Sequence, residues 1–137
     1  MGPESHRRRD IFYPLMRNAS LSVAVTGAYA IALGLTLLLV PNFLLGLFGI
    51  PETDEVWIRV LGGLAVAVGY YYIESGRANA TWFMRASILG RVWFGGVLLA
   101  VVLLGMAPPV VALFATVDLL LAAWTAYALG WPQLRRP

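Results

Sequence analysis

The sequence predicts an all-α protein: an integral membrane four-helix bundle running antiparallel, up and down. Three observations carry this. Four apolar stretches fill most of the chain: Ser20 to Val40, Val56 to Ile73, Phe83 to Met106 and Pro109 to Gly130. A helix rises about 1.5 Å per residue, so roughly 20 residues cross the hydrocarbon of a bilayer. Second, 60% of the residues are hydrophobic and only 12% charged. A soluble domain of this length would have to cover its whole outside with apolar side chains. Third, the basic residues cluster beside the apolar stretches, as they do in membrane proteins.

At 137 residues the chain has room for one domain. It divides into a polar, basic leader at 1–18, a four-span domain at 19–131 and a basic tail at 132–137. Arg7, Arg8, Arg9 and Arg17 precede the first span in the manner of a signal peptide. That span is too long for a signal core and lacks a small-x-small cleavage site before Pro41, so it reads as retained. The leader itself reads as a mobile or surface-lying segment. Pro41-Asn42 removes a backbone donor and ends span 1. The segment at 42–50 is too short to cross and too apolar for water, which predicts an interfacial half-helix. Pro51-Glu52-Thr53-Asp54-Glu55 is the most acidic stretch, and Thr53 or Asp54 is the expected cap of span 2. A polar link with Arg77 joins spans 2 and 3, and a Gly/Pro turn from Gly105 to Pro109 joins spans 3 and 4.

All ten basic residues are arginine. Eight of them lie in the leader, the second link with nearby Arg85, and the tail, whereas the first and third links hold none. The positive-inside rule then puts both termini and the central link in the cytoplasm, in a bacterial inner membrane. Trp57, Trp82 and Trp131 fall near the expected interfaces. The net charge of +3 is no nucleic-acid signal, because no basic helix or aromatic-interleaved patch accompanies it.

There is no cysteine, and the one histidine, His6, lies in the leader. Thiol redox chemistry, disulfides, cysteine-held metals and bis-histidine haem are thereby excluded. No nucleophile–base set, HExxH motif or phosphate loop occurs, so the chain reads as non-catalytic with no resident cofactor.

Small residues recur at four-residue spacing: Ala30 with Gly34, Gly63 with Ala67, Ala65 with Gly69, Ala86 with Gly90, Gly96 with Ala100, and Ala122 with Ala126. In lipid such seams mark packed faces, and one left over would take a partner helix. A weak repeat is also visible. Gly27 to Pro41 and Gly90 to Pro108 each lead to a span with a charge in its outer half, Arg59 and Asp118, as two similar hairpins would give.

Charged groups inside apolar spans are the candidate site, since each costs about 2.5–3.5 kcal/mol at mid-bilayer unless paired. Arg59, Arg91 and Asp118 lie inside spans and Glu74 closes one. Helical spacing puts Tyr70 and Glu74 on the Arg59 face, Ser87 and Gly95 beside Arg91, and Ala122 and Thr125 beside Asp118. The expected site is one polar core between spans 2, 3 and 4, centred on Asp118 and drawing on Arg59, Tyr70, Glu74 and Arg91. Asp118 has Arg59 or Arg91 as partner, and Glu74 has Arg77, Arg85 or Arg91. Of the run Tyr70-Tyr71-Tyr72, at most two rings can face inward. The core reads as helix-fixing charge pairs, as a polar anchor at the foot of an apolar cavity, or as a proton or ion path.

The runs Trp57-Ile58-Arg59-Val60-Leu61-Gly62-Gly63 and Gly69-Tyr70-Tyr71-Tyr72, with Gly27 to Pro41 and Leu47-Phe48-Gly49-Ile50-Pro51, resemble bacterial four-helix membrane proteins of the DoxX-like superfamily. The resemblance implies a role beside respiratory or quinone-related membrane complexes and transfers no catalytic residue. The leading expectation is an accessory or scaffold subunit in the lipid bilayer, packed against another membrane protein or as a homo-oligomer, with no nucleic acid. The alternative is a binding module for a quinone, carotenoid or lipid near Tyr70, Arg91 and Asp118. A small dimeric transporter is the third.

Overall fold

A computed structural model describes the backbone of residues 4–130 and the side chains of residues 18–130. Among the described residues the regular structure is all helix, in the order α1 (Glu4–Leu39), α2 (Pro41–Leu47), α3 (Val56–Arg77), α4 (Thr81–Leu103) and α5 (Val111–Ala128). Four segments are long and apolar enough to cross a membrane: Asn18–Leu39, Val56–Arg77, Thr81–Leu103 and Val111–Ala128. This is the architecture of a multi-pass membrane protein. The side chains of Arg7, Arg8, Arg9 and Arg17, together with Trp131, Arg135 and Arg136, lie outside the described residues.

The first departure from expectation is at the N-terminal end. The leader does not stand apart from span 1, because one helix runs from Glu4 to Leu39. Pro14 falls inside this helix and, unlike Pro41, does not end it. Pro41 opens α2, where a missing N–H costs nothing, and α2 is the short apolar helix expected between spans 1 and 2. The cap of α3 differs as well. Glu55 holds the cap position without a side-chain bond, while Thr53 accepts from the Glu55 N–H at 3.2 Å and donates its own N–H to Asn42 Oδ1 at 3.0 Å. The acidic link is thus tied back to α2 instead of capping α3.

α1 and α3 form the closest pair, and glycine is the reason. A Cβ on Gly27 would lie 2.6 Å from the Gly69 carbonyl oxygen, and one on Gly69 would lie 2.6 Å from that of Gly27. Gly34 and Gly62 face each other in the same way, at 2.6 and 2.7 Å. At the far end a Cβ on Gly76 would lie 2.9 Å from the Ser20 carbonyl oxygen. Ser20, Gly27 and Gly34 ascend α1 in steps of seven while Gly76, Gly69 and Gly62 descend α3 in steps of seven. This is an antiparallel seam of backbone on backbone with the 3.5-residue period of left-handed packing. The four-residue pairs read from the sequence included Gly34 and Gly69 but also Gly63, Gly90 and Gly96, whose Cβ positions meet nothing and face outward.

α4 packs on α5, where Gly95 admits the Leu119 side chain. α1 also packs along α5, whereas the backbones of α3 and α4 diverge after their turn and meet through side chains there, Tyr72 against Phe83 edge-on at 5.2 Å. The result is two hairpins, α1/α3 and α4/α5, joined chiefly through α1 and α5. The turn between α3 and α4 is closed by Asn79 in the left-handed conformation (φ 50°), whose Oδ1 accepts from Ser20 Oγ at 2.6 Å. That bond fixes the start of span 1 and the central link at the same end of the molecule.

Candidate functional site

Two polar features lie inside the helical assembly, one above the other. The lower one is built around Arg91, which is only 4% exposed. Its Nη1 donates to Thr26 Oγ1 of α1 at 3.1 Å, and its Nη2 to Thr125 Oγ1 of α5 at 2.8 Å and Ser87 Oγ at 3.4 Å. Nε reaches the Ser87 carbonyl at 3.4 Å, and the guanidinium lies 5.4 Å from the centre of the Tyr72 ring. Ser22 completes the group at 2.9 Å from Thr125.

The hydroxyls are oriented for this by their own helices. Thr26 donates to the Ser22 carbonyl, Ser87 to that of Met84 and Thr125 to that of Leu121. With their protons committed to backbone carbonyls, their oxygen lone pairs turn toward the guanidinium. A cation is thus solvated by neutral dipoles and one aromatic face, with no carboxylate within 4.0 Å among the described residues.

The upper feature is a half-enclosed cleft of about 210 Å³. α1 contributes Tyr29, Leu33 and Leu37, α4 contributes Phe94 and Leu98, and α5 contributes Val111, Phe114 and Asp118. α2 and its exit close the top with Leu44, Leu45, Phe48 and Ile50, where Phe48 meets Phe114 edge-on at 5.1 Å. Tyr29 and Asp118 are the deepest lining residues of their helices, and Asp118 is the sole charged one. Its Oδ2 is buried and accepts no hydrogen bond among the described residues. Leaving such an oxygen unpaired is costly in a low-dielectric interior, so it marks a place where a donor is wanted.

The expected single core is therefore divided, and several of its members lie elsewhere. Arg59 does not meet Asp118. It is exposed and donates to the carbonyls of Leu38 at 2.6 Å and Leu39 at 3.3 Å. Those carbonyls end α1 next to Pro41, so Arg59 acts as a cross-helix cap where a cation suits the helix dipole. Glu74 pairs with Arg77 at 2.8 Å on the surface and not with Arg91. Tyr70 and Tyr71 are 56% and 58% exposed, and the inward ring of the run is Tyr72. Arg91 and Asp118 occupy the interior without forming an ion pair.

Sequence reasoning missed Ser22, Thr26 and Tyr29, yet the signal was present. They fall at i, i+4 and i+7 in span 1, one polar stripe on an apolar helix. No group of three or more metal-ligating side chains occurs among the described residues. The chain matches no family model, no curated protein and no solved structure. The likeness to DoxX-like proteins accordingly rests on the sequence pattern alone.

Proposed function

We propose that this protein is a membrane-embedded binding module for a hydrophobic molecule, held in the cleft between α1, α2, α4 and α5 with its polar end toward Asp118. One observation carries the reading: an apolar cleft whose sole charged lining residue has a buried oxygen without a donor. Ligand sites are mostly apolar hollows with a few convergent polar groups, and this cleft has that composition. The Arg91 group beneath it holds α1, α4 and α5 at fixed separation, which keeps the cleft open. The basic flanks favour a cytoplasmic side for both termini and the Asn79 turn, in a bacterial inner membrane.

The test is gentle detergent extraction followed by mass analysis of the intact protein. A hydrophobic molecule should travel with the chain in stoichiometric amount, and Leu33→Trp, which fills the cleft, should remove it. Retention of the same molecule by Leu33→Trp would overturn the proposal.

A second reading, an accessory subunit, draws on the outward face of α4. There Leu89, Trp93, Gly96 and Ala100 form a shallow groove with Gly96 open at its floor. A stoichiometric protein partner lost in Gly96→Leu would favour it.

A further inference from the structure

The chemistry of the cleft also selects its occupant, if the binding reading above holds. We infer that the cleft takes a neutral, ring-sized head carrying a hydroxyl donor, of the alkylphenol type, with the hydroxyl directed to the Asp118 carboxylate.

Polarity fixes the orientation. Along α5 the lining runs from Val111 through Phe114 to Asp118, and along α1 from Leu37 through Leu33 to Tyr29, so both helices become polar only at the deep end. The end nearest the membrane surface is closed by Leu44, Leu45, Phe48 and Ile50. A glycerophospholipid has the opposite profile, because its charged head belongs at the surface and its chains at depth. A molecule whose one polar group is buried at mid-bundle fits the cleft in the right sense.

Charge balance fixes the sign. Arg91 is a buried cation, and Asp118 is the one carboxylate among the described residues whose field reaches it. Together they leave the interior neutral. A cationic head would leave it with a net positive charge in low dielectric, which is strongly unfavourable. An ionised carboxylate only accepts hydrogen bonds, so the matching head is a neutral donor. An acceptor-only head, such as a quinone or an ether, offers nothing to Asp118.

Size and shape fix the body. An apolar cavity of about 150 Å³ accommodates benzene, so 210 Å³ suits one substituted ring and its first alkyl carbons. Phe94, Phe114 and Phe48 supply faces and edges for an aromatic ring, and Tyr29 lines the same floor as Asp118.

The experiment uses the full chain in lipid nanodiscs with three matched probes: 4-hexylphenol, 4-hexylanisole and 4-hexylphenyltrimethylammonium. Affinities are read by calorimetry or ligand-observed NMR. The phenol should bind about tenfold tighter than its methyl ether, the value of one good hydrogen bond to a charged acceptor. In Asp118→Leu that ratio should fall to about one while the anisole affinity is unchanged. Should Asp118→Leu fail to fold, Asp118→Asn, which keeps an acceptor oxygen but no charge, should retain part of the preference. Equal binding of phenol and anisole, with both lost in Leu33→Trp, would overturn the donor chemistry and leave the cleft as a binding site. Preference for the ammonium would overturn it too. Binding of all three probes unaffected by Leu33→Trp would overturn both the donor chemistry and the cleft itself.

Discussion

Arg91 and Glu74 show how differently two charged residues of similar sequence context can be held. Arg91 is buried and rests on hydroxyl oxygens from three helices, whereas Glu74 sits on the surface with Arg77 one turn away. Removing a single acceptor from a buried guanidinium leaves a desolvated N–H, at a cost of about 1–2 kcal/mol. Thr125→Val should therefore lower the melting temperature in detergent, and Thr125→Ser should restore most of it. Glu74→Gln should leave the melting curve unchanged, as exposed pairs contribute little. The inward residues were only partly legible in the sequence. Helical spacing put Ser87 beside Arg91 and Thr125 beside Asp118 within their own helices. Which of Tyr70, Tyr71 and Tyr72 turns inward depends on the rotation of α3 about its axis, and the glycines of the α1 seam set that rotation. Arg59 was misplaced for a related reason. Intramembrane charge suggested an acidic partner, yet the carbonyls left open where α1 ends were nearer and equally short of a donor.

At the level of the helix, the seam between α1 and α3 decides the geometry. Glycine normally weakens a helix by about 0.5–1 kcal/mol relative to alanine. Matched substitutions should therefore differ in sign. Gly63→Ala, at an open position, should be neutral or slightly stabilising. Gly27→Ala would push a methyl to 2.6 Å from the Gly69 carbonyl oxygen and should cost about 2–3 kcal/mol. Unfolding of the two variants side by side checks this, and equal effects would contradict the seam. The sequence announced small residues but not their period. A four-residue pair marks one helix turn, while a seven-residue series persists along two helices, and only that second pattern distinguishes Gly62 from its neighbour Gly63. The spans themselves were plain from hydrophobicity, and α2 from its length. The continuity of α1 back to Glu4 was not, because Pro14 within the leader argues for a break in the helix there.

For the molecule as a whole, two hairpins joined by α1 and α5 make a less closed assembly than a square bundle. The backbones of α3 and α4 separate after their turn, and the hairpins are held at that end by the apolar cluster of Ala19, Val23, Tyr72, Met84 and Ala128, with Ser20 on Asn79 and the Arg91 group beside it. The chain lacks cysteine, so an introduced pair is unambiguous. Ser20→Cys combined with Asn79→Cys should form a disulfide on mild oxidation in native membranes. Ser20→Cys with Thr53→Cys, at the opposite ends of their spans, should not. Cross-linking only in the second pair would reverse the assigned course of α1. The up-and-down path was readable from the distribution of arginine, which marks ends. The two-hairpin division was hinted at by the repeated span pattern. An apolar cavity with a polar anchor was one of the readings, but its lining was not legible, since it arises from α2 folding over a gap between α1 and α4 that no local pattern encodes.

The way Thr26 and Ser22 are bonded bears on how the chain is made. Both return a proton to their own helix, Ser22 to the Ala19 carbonyl and Thr26 to that of Ser22. α1, made before α4 and α5, can consequently enter the bilayer with the Ser22 and Thr26 protons already satisfied. Arg91 emerges two spans later and finds Thr26 waiting as an acceptor, and Thr125 joins it when α5 is delivered. The costliest residue to insert is thus synthesised after one of its partners is in place, so the order of translation itself lowers the barrier to assembly.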